Sequence, residues 1–230
     1  MNRIYTPTTD AADWQRLLAD PIAHWQIGFS ARTIAHSWEA ADGLPPEVAS
    51  LFTSSPVFFG ESPTLLVAFP EHKVDLPPRG RRASQNDVFA LARVLDGLIS
   101  ITVEGKVQES FGPTLADWMI DITPGKAERL QFLKATLGID LDAEIPDQIR
   151  YQFFHRTASA LLEATRFHAS YAVMIVHAFG EQSDSFNDYI AFVDYLGGTH
   201  CDGTLTPITS RNGIRLLLGW AQGNPVYLTH

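Results

Sequence analysis

A strict alternation of apolar and polar residues between positions 99 and 106 places the strongest constraint on how this chain folds. The apolar members are Ile99, Ile101 and Val103, and the polar members are Ser100, Thr102, Glu104 and Lys106. A period of two residues is typical of a β-strand that has one buried face and one face in water. We therefore predict a strand here, with its polar side chains exposed to solvent.

A tight turn before this strand pairs it with the preceding segment. The dipeptide Asp96-Gly97 lies between two leucines, and it favours a two-residue type I′ turn because both central positions take positive φ. In the resulting register Asp87 faces Lys106, and opposed residues of a hairpin point to the same side. The turn thus predicts that Asp87, Glu104 and Lys106 converge, which is an arrangement suited to holding a divalent metal ion.

The segment that carries Asp87 is also compatible with a helix. Asp87 would then be the N-cap of that helix, far from Lys106. The apolar stripe of the helix would consist of Val88, Leu91, Ala92 and Leu95. Periodicity does not separate strand from helix in a short apolar run, so the residues alone leave both interpretations open.

Composition limits the class of protein. Of the 230 residues 45% are hydrophobic, which is enough to bury a large core. The N-terminus lacks the apolar segment of a secretory signal, and no apolar run approaches the length of a membrane span. The single cysteine, Cys201, excludes an internal disulfide and fits a reducing compartment. We expect a cytoplasmic protein with no membrane partner.

The charge pattern bears on nucleic-acid binding. A net charge of −9 argues against a broadly basic binding surface. A local basic patch nevertheless precedes the Asp87 segment, and it consists of Lys73, Arg79, Arg81 and Arg82. On charge alone a solvated loop is the simpler interpretation of this patch.

The order of the other elements predicts an α/β protein with a mixed sheet. Helices are predicted over about 30–42, 46–52, 114–119, 124–137, 147–170 and 184–196, and further strands over 65–69, 172–179 and 215–221. Residues 197–212 are predicted to form a loop. The helix over 147–170 carries a polar stripe that we expect to face water, made of Gln152, Arg156, Ser159, Glu163 and Arg166. No linker interrupts the chain, so we predict a single domain over residues 1–230.

One constellation of polar residues remains after the common phosphate-binding, hydrolase and zinc motifs are found absent. Asp87 is followed after sixteen residues by Glu104-Gly105-Lys106, with Glu39 on an earlier helix and Gln152 on a later one. This pattern resembles the PD-(D/E)XK nuclease superfamily. The resemblance is carried by ARTIAHSWEAA, NDVFALARVLDGLISITVEGK and RYQFFHR, and it spans residues 30–180.

Two details refine the resemblance. VEGKVQESFG followed by RYQFFHRTASA is similar to a group of uncharacterised bacterial proteins within that superfamily. The chain has Asn86 where the superfamily pattern has proline, a position that is not a metal ligand. The resemblance implies a restriction-endonuclease-like three-layer sandwich, with a mixed β-sheet flanked by helices and a C-terminal extension over residues 181–230.

The resemblance also implies a Mg²⁺- or Mn²⁺-dependent endonuclease acting on DNA. The implied metal ligands are Asp87, Glu104, the backbone carbonyl of Gly105 and, as an outer or second ligand, Glu39. Lys106 and Gln152 would act on the attacking water, and Lys73, Arg79, Arg81 and Arg82 would contact phosphates. Hard oxygen ligands of this kind suit Mg²⁺, which needs only one or two carboxylates. RNA as substrate and a homodimer are left open.

A rival interpretation comes from the same superfamily, because some of its members have lost catalysis. Such a protein would bind nucleic acid or a protein partner without cutting. Its usual mark is a missing acidic or lysine position, and Asp87, Glu104 and Lys106 are all present. We therefore expect an enzyme.

Overall fold

A six-stranded mixed sheet flanked by helices forms the centre of the computed structural model, which describes residues 8–78, 82–181 and 183–230. The strands are β1 Thr64–Val74, β2 Ser84–Val94, β3 Gly97–Lys106, β4 Tyr171–Phe179, β5 Thr206–Arg211 and β6 Ile214–Gly223. The α-helices are α1 Ser30–Glu39, α2 Pro46–Ser54, α3 Leu115–Met119, α4 Pro124–Leu137, α5 Tyr151–Arg166 and α6 Ser183–Tyr195. Short 3₁₀ helices cover Ala11–Leu17, Pro56–Phe58 and Pro225–Thr229.

The strand order is β1-β2-β3-β4-β6-β5. Strands β1, β2 and β3 form an antiparallel meander, β3, β4 and β6 run parallel, and β5 is antiparallel to β6. Every residue of β4 is buried, as expected for a strand covered on both faces. The α/β class and the mixed sheet are confirmed.

Two hydrophobic clusters fill the space on either side of the sheet. The first joins α1 and α2 to one face, and Ile34, Trp38 and Phe52 are almost completely buried in it. The second joins α4, α5 and α6 to the other face, around residues such as Phe153 and Phe192. This arrangement is compatible with a three-layer sandwich. Among the described residues, no helix combines the length and apolarity needed to cross a membrane.

The segment before the hairpin turn is strand β2, so its helical interpretation is wrong. The predicted register is also wrong, because Val94 pairs with Gly97 and Phe89 pairs with Thr102. The turn therefore contains Leu95 and Asp96 rather than Asp96 and Gly97. The pairing is displaced by two residues, which leaves every side chain on its expected face.

Gly97 explains this displacement. It has φ of 138°, and a Cβ atom at this position would lie 2.6 Å from Ser170 Oγ. Neither Leu95 nor Asp96 has positive φ, so the turn is not of type I′. The glycine serves as the first residue of β3, where only a residue without a side chain fits against the chain entering β4.

The expectation that β3 exposes one face to water is wrong. Its polar face lies under α5, where Ser100 Oγ donates to the carbonyl of Ala160 over 2.9 Å and Thr102 Oγ1 donates to the carbonyl of Arg156 over 3.1 Å. Buried hydroxyl groups are tolerated when they form such hydrogen bonds. The alternating pattern identified the two faces correctly but not what covers the polar one.

The central part of the polar stripe of α5 is buried for the same reason, whereas Arg166 at its end is exposed. Arg156, Ser159 and Glu163 are at most 8% exposed, because this part of the helix packs against the polar face of the β1–β3 meander. Glu163 is paired with β1 there, with its Oε2 atom 3.5 Å from His72 Nε2. The expectation of a solvent-facing stripe is wrong for these three residues, and α5 is shorter than the predicted 147–170 helix.

The C-terminal segment completes the sheet. The strand predicted over 215–221 is present as β6, and it lies between β4 and β5. Residues 197–212, expected to be a loop, contain β5. Polar and glycine-rich composition concealed this strand, whose residues pair with Ile214–Leu218 of β6.

The hairpin turn gives a test of the fold. Gly97→Ala should lower the free energy of unfolding by about 1–3 kcal/mol, because it combines a disfavoured φ with a contact to Ser170. The double variant Gly97→Ala/Ser170→Gly should recover part of this loss, because it removes the contact but not the backbone strain. Urea unfolding measures the free energy of unfolding of the single and the double variant. A Gly97→Ala variant as stable as the wild type would contradict the role assigned to this glycine.

Candidate functional site

A cleft of about 590 Å³ opens at the carboxyl end of β3. Strands β1, β2 and β3 form its floor, the first turns of α5 form one wall, and the segments before α1 and after β3 form the rest. Its charged lining residues include Glu71, Asp87, Glu104, Lys106, Glu109 and Arg156. Buried or half-buried ionisable groups gathered in one concave site mark a candidate functional site.

Strand β3 supplies the centre of the cleft. Glu104 and Lys106 are two residues apart, so the strand period directs both toward α5. Lys106 Nζ donates to Glu104 Oε1 over 2.9 Å, and both residues are almost completely buried. Lys106 Nζ also lies 4.7 Å from the centre of the Phe111 ring, which confines the ammonium group to the cleft.

Asp87 reaches the same point from β2. Its Oδ2 atom accepts a hydrogen bond of 2.7 Å from the backbone N–H of Gly105. A Cβ atom at Gly105 would lie 3.2 Å from that oxygen and 3.2 Å from Ile34 Cδ1, so the glycine allows the close approach of strand and helix. Burial, together with the charges of Glu104 and Glu71, raises the pKa of Asp87 well above its usual value. Asp87 thus holds its proton more tightly than an exposed aspartate.

Glu104 accepts hydrogen bonds from three side chains in the cleft. Arg156 Nε donates to its Oε2 over 2.5 Å, and Gln152 Nε2 donates to its Oε1 over 2.6 Å. Burial opposes ionisation, but the positive charges of Arg156 and Lys106 outweigh it and lower the pKa of Glu104 to about 2. Glu104 is therefore the permanent negative charge of the site.

Gln152 lies where the sequence predicts it, on the helix that faces the hairpin. It lies one turn before Arg156 on α5, so both side chains point to the sheet. Its Oε1 atom is 3.5 Å from Lys106 Nζ, and its amide nitrogen bonds Glu104. The structure thus brings together Asp87, Glu104, Gly105, Lys106 and Gln152.

Glu39 lies outside the cleft, and the expectation that it opens onto the same site is wrong. Its Oε1 atom accepts hydrogen bonds from Trp14 Nε1 over 2.7 Å and from Thr8 Oγ1 over 3.2 Å. The reason is the direction of α1. The helix approaches the cleft with Ser30, and Glu39 is about 14 Å farther along its axis.

Glu71 is a cleft residue that the sequence did not reveal. It interrupts β1 with φ of 52°, a conformation that costs free energy and is often found at functional sites. Its Oε2 atom accepts from Gln85 Nε2 over 2.6 Å. Burial, with the nearby charge of Glu104, raises the pKa of Glu71 to about 7. Only the preceding Pro70 hints at an irregular strand here, and proline does not predict a left-handed residue.

Glu109 was also missed, and it bonds the start of α1. Phe29 occupies the N-cap position of that helix without a side-chain hydrogen bond. Glu109 Oε1 instead accepts from the Ser30 N–H over 2.9 Å, while its Oε2 accepts from the Val107 N–H over 3.0 Å. Burial opposes ionisation, but these backbone donors lower the pKa of Glu109. The carboxylate ties the segment after β3 to α1.

The basic patch is only partly described. Arg79 and Arg81 lie outside the described residues, while Lys73 and Arg82 are exposed. The carbonyl of Arg82 accepts a hydrogen bond of 2.7 Å from Arg129 Nη1, and the following residue, Ala83, lines the cleft. Lys73 and Arg82 are not themselves among the lining residues. Their role toward phosphates stays a prediction.

The cleft contains oxygen donors that bear on metal binding. Within residues 8–78, 82–181 and 183–230, no three His, Cys, Asp or Glu side chains are grouped so as to hold a metal ion. Glu104 is already bonded to Lys106, Gln152 and Arg156. The oxygen donors nevertheless suit a hard cation in kind, because Asp87, Glu104 and the Gly105 carbonyl are all oxygen ligands.

Comparison with known proteins gave one family. A family model described as a domain of unknown function, DUF6946, matches residues 7–225. No curated protein and no solved structure matches the chain.

The contact between Arg156 and Glu104 should dominate the stability of the cleft. Arg156→Leu leaves a buried carboxylate without its main partner and should cost about 3–5 kcal/mol of unfolding free energy. Arg166→Leu on the same helix removes an ion pair whose arginine is 66% exposed, and this control should cost about 1 kcal/mol or less. Urea unfolding of both variants measures the difference. Equal losses would show that Glu104 does not depend on Arg156.

The raised pKa of Glu71 predicts a pH dependence of stability. The folded protein keeps this proton up to about pH 7, whereas the unfolded chain loses it near the ordinary glutamate pKa of 4.5. The stability contributed by the protonated group is therefore present below pH 4.5 and is lost as the pH rises to 7.

Glu71→Gln should remove that loss. Between pH 5 and pH 8 the variant should gain about 2–3 kcal/mol relative to the wild type. Chemical unfolding at both pH values measures the gain, and Glu128→Gln on the exposed surface of α4 is the matched control. A constant difference between wild type and Glu71→Gln across this range would contradict the assignment.

Proposed function

We propose that this chain, which belongs to the DUF6946 family of domains of unknown function, is a metal-dependent nuclease of the PD-(D/E)XK type that hydrolyses phosphodiester bonds in DNA. One observation carries the proposal. Asp87 on β2 and Glu104 and Lys106 on β3 meet in one cleft, opposite Gln152 on α5. The proposal includes a restriction-endonuclease-like fold. The order of the elements along the chain supports it, because the β2–β3 hairpin is followed by helix α5 and then by the parallel strand β4.

The oxygen ligands come from two strands. Asp87, Glu104 and the carbonyl of Gly105 would hold Mg²⁺ or Mn²⁺. When bound, such an ion supplies a polarised water and relieves negative charge on the phosphoryl group. The mutual repulsion of Asp87 and Glu104, which contributes to the raised pKa of Asp87, is what a cation would relieve.

Lys106 and Gln152 would act on the attacking water. Both side chains contact Glu104 Oε1, and they lie 3.5 Å from each other. An ammonium group and an amide at this separation can share one water molecule and fix its orientation. Lys106 can also offset the negative charge that develops on the phosphoryl oxygens.

Arg156 and Glu71 add roles that the sequence did not predict. Arg156 neutralises Glu104, so its guanidinium lowers the cost of burying the carboxylate at the site. Glu71 is the acidic residue of the cleft that takes the place expected for Glu39. Its positive φ and its hydrogen bond to Gln85 fix it in the cleft, where its charge acts on Asp87.

A second candidate function is a catalytically inactive nuclease-fold protein that binds nucleic acid or a protein partner. The hydrogen bonds of Glu104 favour it. Lys106, Gln152 and Arg156 together satisfy that carboxylate, and no group of metal-binding side chains is found among the described residues. A site closed in this way is stable without a metal.

Cleavage assays separate the two functions. Duplex DNA, single-stranded DNA and RNA should each be incubated with the wild type in Mg²⁺ or Mn²⁺. All three are needed because a nuclease that is selective for one of them does not cleave the others. For the nuclease, Lys106→Met and Asp87→Asn should lose cleavage by about 10²-fold or more. Lys126→Met, which changes a lysine that bonds carbonyls of the α3 segment, should keep it.

A thermal-shift measurement distinguishes the roles of these residues. Mg²⁺ or Mn²⁺ should raise the melting temperature of the wild type and of Lys106→Met by mass action. Asp87→Asn should abolish the rise, because it removes a ligand. A wild type that cuts none of the three substrates, and whose melting temperature is the same with and without metal, would favour the binding protein.

A further inference from the structure

A second pocket lies away from the cleft and shares no lining residue with it. It has a volume of about 290 Å³ and is enclosed by α2, α6, the end of β6 and the loop that leads into β5. This size is near the lower limit of sites for small organic ligands. The proposed nuclease chemistry makes no use of it.

Aromatic rings form two walls of this pocket. Phe186 and Trp220 are half-buried, and their ring centres are 5.1 Å apart with the planes at 76°. His200 stands against Phe186 at 5.2 Å and 77°. The rings therefore meet nearly at right angles and form a corner. The fully buried ring of Tyr189 lies behind, 5.5 Å from Trp220 and 5.6 Å from His200, and holds both in place.

The charges that line the pocket are negative. Glu47 from α2 and Asp202 from the loop are its charged residues, and its described lining contains no lysine or arginine. Glu47 Oε1 lies 2.8 Å from Nε2 of His177, a residue with no exposed surface. Burial opposes ionisation, but the hydrogen bonds from His177 and from the backbone of Asn224 lower the pKa of Glu47.

We propose that this pocket binds a small organic cation, an ammonium or guanidinium group, between the Phe186 and Trp220 rings and the Glu47 carboxylate. Cations are attracted to the negative faces of aromatic rings within about 6 Å of the ring centre, and tryptophan is the strongest partner. An anion is repelled by Glu47 and Asp202. A neutral apolar ligand would cover the Glu47 carboxylate without compensating its charge.

Two sources of such a cation have the same chemistry. One is a free molecule such as choline or methylguanidine. The other is a methylated lysine or an arginine side chain of a partner protein. The corner of rings accepts either, so the experiment includes both and tests the need for charge with an uncharged analogue of choline.

Calorimetric titration of the full chain with choline and with its neutral isostere 3,3-dimethylbutan-1-ol tests the charge requirement. The cation should bind saturably and roughly three- to thirtyfold more tightly than the isostere. Methylguanidine and a short peptide containing trimethyllysine extend the test to the other sources. A cation that binds only within the peptide identifies a partner side chain as the ligand, and binding of free choline or methylguanidine identifies a small molecule.

Variants locate the binding. Trp220→Leu and Glu47→Gln should each weaken cation binding by a similar factor, because one removes a ring and the other a charge while its amide can still bond His177. Trp118→Leu, whose ring stacks on Tyr151 at 4.0 Å in another part of the protein, is the matched control and should bind as the wild type does. If Trp220→Leu fails to fold, the affinities of the wild type for choline and for its isostere still decide whether binding requires a positive charge. Equal affinity for the two, or no saturable binding of any cation, would overturn the proposal.

Discussion

The buried carboxylate of Glu104 determines how the sheet and α5 fit together. Removing such a group from water costs several kcal/mol unless cations and hydrogen bonds replace the lost hydration. Arg156 and Gln152 supply them from α5, and Lys106 supplies a third from β3 itself. The helix can therefore dock in one position only, and the hydroxyl groups of Ser100 and Thr102 hold it along the same line. The cleft exists because this docking leaves the end of β3 uncovered.

This network serves the needs of both candidate functions. A nuclease needs carboxylates, a lysine and a polar helix side chain at one point, and Asp87, Glu104, Lys106 and Gln152 provide them. A binding protein needs a stable cleft without a metal, and the contacts of Arg156 provide that. The two functions differ in one physical respect, which is whether a cation replaces Lys106 and Gln152 as the partner of Glu104 Oε1.

Much of the site could be predicted from the sequence because a strand's facing pattern tolerates one kind of error in the predicted register. A displacement of two residues keeps each side chain on its face, so Asp87, Glu104 and Lys106 converge although the predicted turn was wrong. The helix period likewise placed Gln152 correctly. Burial was less predictable. The polar stripe of α5 and the polar face of β3 were each expected to face solvent. In the structure they cover each other instead. A pattern of polarity shows that two surfaces are polar but not that they are partners.

The remaining errors concern residues whose positions depend on distant parts of the chain. Glu39 lies on the predicted helix, but the direction of α1 relative to β3 decides which of its ends reaches the cleft. Glu71 enters the cleft through a positive φ that no local pattern predicts. The aromatic pocket likewise joins Glu47, Phe186 and Trp220, which are more than a hundred residues apart at the extremes. It forms because β5 pairs with β6 only as far as Leu218, which leaves the carboxyl end of β6 open. Both concave sites thus lie at the carboxyl ends of the parallel strands β3 and β6, where ligands bind in open α/β sheets.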